Sequence, residues 1–132
     1  MAVVNGTVHS VHTMKSDYIG SAVPVQIAEV LFTLPTASTY AQADNAQLQG
    51  IATLIQNSRR NGKTVNLLGA MMSQFASQDS DRTKYFGLKT VAVSGADVTF
   101  EVTDNSTSTE LANGAVPAQD RPFGLAIAFY ES

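Results

Sequence analysis

Apolar residues along this chain recur mostly at alternate positions, and one stretch, Asp44 to Phe75, breaks that rhythm. There Leu48, Ile51, Ala52 and Ile55 fall at i, i+3, i+4 and i+7, with Leu54 widening the stripe and Gln49, Thr53, Asn57 and Arg60 lying off it. Such a stripe is the mark of an amphipathic helix with one buried face. Asp44 is placed to accept from the free amides of a first turn, and Gln47 stands where a capping box wants its second polar partner. Asn61-Gly62 supplies a left-handed exit, and Arg59, Arg60 and Lys63 set positive charge at the negative end of the helix dipole. The spacing predicts a helix over 44–61 running into a strand, TVNLLGAMM.

The remaining chain reads as strand and turn. Ala2 to Met14 places Val4 and Val8 on one face and Val3 and Val11 on the other. In SAVPVQIAEVLFTLP, Val23, Val25 and Ile27 share one parity and Val30, Phe32 and Leu34 the other, which predicts a bulge or bend near Ala28-Glu29. Pro24 suits a strand start or edge, and Pro35 ends the strand. Ser77 to Lys84 reads as a solvated turn. Tyr85 to Val102 reads as a hairpin turning at Ser94-Gly95-Ala96-Asp97, with Val98, Phe100 and Val102 on one face. Asp104 to Arg121 is polar and longer than most connections inside a domain, so it is expected to be mobile or held by a partner, and deleting Ser106 to Asn113 is expected to leave the fold intact and weaken attachment to that partner. FGLAIAFY closes the chain as a strand.

About six strands, one helix and no regular βαβ alternation predict a mainly β fold (α+β by content), an antiparallel β-sandwich or barrel-like sheet with the helix against it. Residues 1–132 make one domain, long enough to bury roughly 65 to 70% of the unfolded surface.

Composition narrows the function classes. The chain has no cysteine, which removes disulfides and thiolate chemistry. Only 14% of residues are charged, a surface suited to contact with other protein, and a net charge of −3 with scattered Lys and Arg offers no stripe for a phosphate backbone. Neither nucleic acid nor a membrane is an expected partner: no apolar run approaches the roughly 20 residues of a membrane span, and MAVVNGTVHSV lacks the usual form of a secretory signal.

Motifs for catalysis or cofactors fail on chemistry. Gly62-Lys63-Thr64 ends like a phosphate-binding loop, but Asn57 stands where the first glycine belongs, and the segment leaves a helix for a strand instead of the reverse. Asp79 and Asp81 begin like a calcium loop, yet Lys84 occupies its glycine position and Thr90 its glutamate position. His9 and His12, at odd spacing on a strand, are expected on opposite faces, poorly placed to share a metal. There is no GxSxG and no SxxK. The chain is therefore expected to be no enzyme, with no catalytic residue, cofactor or metal.

NSRRNGKTVNL, then GLKTVAVSGADVTFEVTD, then VPAQDRPFGLAIAFYES resemble small structural proteins of tailed bacteriophages, the class that includes capsid cement or decoration proteins. The resemblance spans residues 44 to 131 and implies a virion component assembled in the host bacterial cytoplasm. It further implies a homo-oligomer binding the major capsid protein or neighbouring virion subunits. The expected contact regions are the N-terminal segment through Met14, the link Thr36 to Ala43, the basic helix end and the loop 104–121, with Arg59, Arg60, Lys63, Tyr40, Glu110 and Asn113 as candidate contact residues. The other readings of the same residues are a phage connector or tail component and a β-sandwich binding or adhesion module for a carbohydrate or receptor.

Overall fold

At Gly6, Phe75 and Pro122 a single residue separates a strand of one β-sheet from a strand of another, and these corners shape the molecule. The computed structural model describes residues 3–14, 25–42, 46–78, 81–105 and 109–132. The first sheet runs in the order β1 (Val4–Asn5), β5 (Ala46–Leu48), β9 (Asp97–Asp104), β8 (Asp81–Ser94), β7 (Ala76–Gln78), β12 (Gln119–Arg121), with β10 (Thr109–Glu110) also on β9. The second runs β2 (Thr7–Met14), β3 (Gln26–Thr33), β13 (Phe123–Glu131), β6 (Val65–Gln74). β4 (Thr39–Tyr40) and β11 (Gly114–Ala115) make a separate pair. The fold is mainly β with one helix, α1 (Ile51–Arg59). The first sheet is mixed, not purely antiparallel, because β1 and β5 run parallel.

Strands that switch sheets make corners, and a corner brings backbone against packed side chains. A Cβ on Gly6 would lie 2.5 Å from Leu48 Cδ2 and 2.9 Å from Phe32 Cδ2, so only glycine lets the chain turn there. One contiguous core fills the space between the sheets. At its centre Phe32 stacks on Phe123 with centroids 5.3 Å apart and meets Phe100, from the first sheet, at 5.4 Å.

The hairpin and the last strand lie as their patterns require: Val98, Phe100 and Val102 are buried in β9, and β13 sits between β3 and β6. The helix is shorter than its stripe implied. Ala46 and Leu48 are buried as alternate residues of a strand, Gly50 turns the chain at φ 67°, and α1 buries Ile51, Ala52 and Ile55 while Leu54 stays exposed. Asp44 lies outside the described residues. No side chain of its own caps the helix; the β8–β9 turn serves it, with Gly50 N donating to Asp97 Oδ1 at 2.7 Å and Ala52 N to the Ala96 carbonyl at 3.1 Å. Its C-terminal left-handed residue is Arg60, one step before the expected Asn61-Gly62.

Other expectations are corrected in the same physical terms. β3 has no bulge near Ala28-Glu29: Ala28, Val30 and Phe32 face the core while Ile27 faces out, so the apolar residues of both parities sit on an unbroken strand. The bulge is instead in β2, where Val8 pairs with Phe32 and Ser10 with Leu31, leaving His9 extra and turning both Val8 and Val11 inward. The segment expected as a solvated turn after Ser77 contains the end of β7 and the start of β8, and the loop 104–121 contains β10, β11 and β12.

Thr90 holds φ 53° at a second irregularity, between Lys89 and Ala92 of β8. A β-branched residue is strained in the left-handed region, by about 1 kcal/mol. Thr90→Gly is therefore expected to leave the fold's stability unchanged or raise it by up to about 1 kcal/mol, despite glycine's entropy; urea unfolding checks this.

Candidate interaction surface

The six expected contact residues fall into two clusters, and much of each is spent inside the molecule. In the first, Tyr40 is fully buried and its hydroxyl donates to Glu110 Oε2 at 2.6 Å while accepting from Val102 N at 3.1 Å. Val102 lies on the edge of β9 between the stretch paired with β5 and the stretch paired with β10, so the Tyr40 hydroxyl bridges a gap in the ladder. Burial, then the bond to Glu110, pushes the Tyr40 phenol above its ordinary range. Asn113 Oδ1 accepts from Gln42 N at 2.8 Å, and the Gln42 amide donates to the Leu111 carbonyl. The link and the long loop are thus stitched to each other, and Leu111 and Val116 join the core. Removing 106–113 would take out Leu111 and the Glu110 partner of Tyr40, so the expected tolerance of that deletion is withdrawn.

The second cluster is the helix end. Glu131, its side chain only 6% exposed, accepts from Arg59 Nη2 at 2.8 Å, Asn61 Nδ2 at 2.6 Å and Gln26 Nε2 at 2.7 Å. Chiefly through the Arg59 hydrogen bonds, its carboxyl is held down from 4.5 to about 2. Arg59 therefore fastens the helix to the final strand. Arg60 and Lys63 are exposed, and Thr64 exchanges backbone bonds with Ser132 as the chain enters β6, so the GKT segment opens a strand.

The most distinctive surface was not among the expected contacts. On the outward side of the second sheet, Met71 is 66% and Ile27 37% exposed. Between them β13 presents Ala126 and Ala128, and β6 presents Gly69, so bulky residues border a shallow apolar trough of about 210 Å³. The floor is low because the outward residues of the central strand are small. One doublet carried the signal: on a strand, Met71-Met72 must set one apolar residue on each face, here Met72 against the core and Met71 outward, while Leu68 falls at a register shift between β6 and β13.

Both histidines also lie on this outward side. The β2 bulge cancels their odd spacing, so His9 Nε2 reaches Thr33 Oγ1 at 2.6 Å while His12 stands opposite Glu29, a correction to the expected opposite faces. Among the described residues no group of three His, Asp or Glu side chains is placed to hold a metal ion, and no helix is long and apolar enough to cross a membrane. A separate polar recess of about 270 Å³, lined by Ser77, Tyr85, Asp120 and Arg121, lies where β7, β8 and β12 meet.

Comparison with known proteins adds no relative: no family model, no curated protein and no solved structure matches the chain.

Proposed function

We propose that the chain is a non-enzymatic structural subunit of a virus particle, of the cement or decoration class of tailed bacteriophages. In this reading it is made in the host bacterial cytoplasm and held on the capsid by contacts with the major capsid protein and with its own copies. The two sheets act as a β-sandwich scaffold closed at its corners. The observation that carries the reading is the apolar outward face of the second sheet, because Met71 and Ile27, exposed on either side of an apolar floor of small residues, mark a place where protein covers protein. The sequence resemblance supports it, and so does the low charge, since many modest contacts across a lattice act together where one alone is weak. Quantitative mass spectrometry of gradient-purified particles from the source tests it. A copy number within a few-fold of the major shell protein is expected; a trace number moves the chain to the connector or tail, and absence from particles removes the proposal.

The polar recess favours a second reading, a module that binds carbohydrate or a receptor. Tyr85 offers a ring face, while Asp120, Arg121 and Ser77 offer the acceptors and donors that sugar hydroxyls need. Binding on a glycan array that disappears in Asp120→Ala would establish this reading; an empty array would dismiss it.

A further inference from the structure

We infer that the apolar outward face of the second sheet is covered by a second copy of this chain, in a two-fold, face-to-face pair. The inference rests on reading that face as a protein contact and names its occupant.

Self-complementarity carries it. In a two-fold interface one patch must fit itself, so every knob needs a hole on the same surface. This face has both, side by side. Met71, the most exposed of its apolar residues, stands opposite Ala126 in the register, and Gly69, two residues along the same strand, stands opposite Ala128. A half-turn about an axis lying in the face and crossing the strands at the level of Ala70 sets Met71 of each copy over Gly69 of the other. The same operation lays Ala126 over Ala128, and it keeps all four strands of one sheet over those of the other. Sheets meeting through small residues and one flexible thioether reach the usual spacing of about 10 Å without a clash. The same half-turn sets Ile27 over Glu29, which stands beside Ala126 on one side and His12 on the other, so one polar pair lies within the contact next to the trough.

Area agrees with a pair of moderate strength. Four strands spaced about 4.8 Å apart, each about eight residues long at about 3.3 Å per residue, present roughly 500 Å² per copy, so the pair buries roughly 1,000 Å². That is the lower end of what a specific association needs, and it implies a dimer that forms at high local concentration and separates on dilution.

Sedimentation equilibrium on the purified full chain, loaded up to about 0.5 mM, tests the inference. A monomer–dimer equilibrium is expected. Met71→Glu, which would set an unpaired carboxylate in each trough, is expected to weaken it on the order of a hundredfold. Gly69→Val supplies the second variant: a Cβ there meets nothing within 4 Å, so the free chain has room for it while the trough is filled from inside. It is expected to weaken the pair with thermal unfolding of the monomer unchanged. Leu54→Glu, on the helix, is expected to leave the pair intact. A wild-type chain that stays monomeric, a trimer or larger assembly, or a dimer indifferent to both sheet variants overturns the inference. Particle copy number still decides the structural role separately.

Discussion

Glu131→Gln is expected to cost about 3 kcal/mol at neutral pH and to lower the melting temperature by about 10 °C. The wild-type carboxylate, 6% exposed, collects hydrogen bonds from Arg59, Asn61 and Gln26, so three parts of the chain far apart in sequence are tied at one point. Glutamine keeps the shape but removes the charge and points an amide donor toward other donors. The magnitude follows from linkage: the fall from 4.5 to about 2 on folding, at roughly 1.4 kcal/mol per pH unit, corresponds to about 3 kcal/mol. The folded-state value is depressed, so the unfolded chain takes up this proton first as pH falls. The contribution is complete above about pH 4.5 and lost progressively towards pH 2. Urea unfolding across that window should show wild type losing this stability while Glu131→Gln stays flatter. Parallel pH profiles would mean that the carboxylate does not hold the helix end.

Tyr40→Phe is the second large effect, about 2 kcal/mol. The ring's packing survives, but the amide of Val102 loses its acceptor in a buried place and Glu110 loses its donor. Hydrogen exchange at the Val102 amide should accelerate well beyond what global destabilisation explains. The phenol also gives an alkaline signature. Its folded-state value is raised, so its contribution is complete below 10.0, the unfolded value, and declines as pH rises past it. Tyr40→Phe should lack that decline. An unchanged Val102 exchange rate would show that the hydroxyl does not complete the β9 edge.

Much of the fold was legible where pattern and local chemistry agreed. The β8–β9 hairpin had a glycine turn and clean alternation along β9, and β13 alternated large with small residues, so both were readable from local sequence. The helix was half legible, because Leu48 satisfies a helical spacing to Ile51 and an alternating spacing to Ala46 equally well. Gly50 was the only local hint that the strand reading wins before it and the helix begins after it. The β2 bulge was invisible, since nothing about His9 announces an extra residue; the pairing with β3 creates it. Contacts between distant segments escaped for the same reason. Arg59 was read as dipole complement, but its partner lies 72 residues away at Glu131. Tyr40, Glu110 and Asn113 were grouped as contact residues, and the fold does bring the segments carrying them together, yet largely to satisfy one another.

The outward face of the second sheet was legible in principle and misread. Val25 and Ile27, followed by Val30 and Phe32, looked like one apolar face interrupted by a bulge, because a soluble monomer is expected to keep only one face of a strand apolar. The unbroken strand instead leaves Ile27 on the outward face, where the proposed pair would cover it.

Peroxide footprinting of Met71 tests that claim most directly. The side chain is 66% exposed in the isolated chain and should form sulfoxide almost as fast as it does in urea. In the assembled particle, or in the concentrated pair, the rate is expected to fall on the order of tenfold as the neighbouring copy covers the trough. Equal rates in free and assembled protein would leave the face open to solvent and contradict the account.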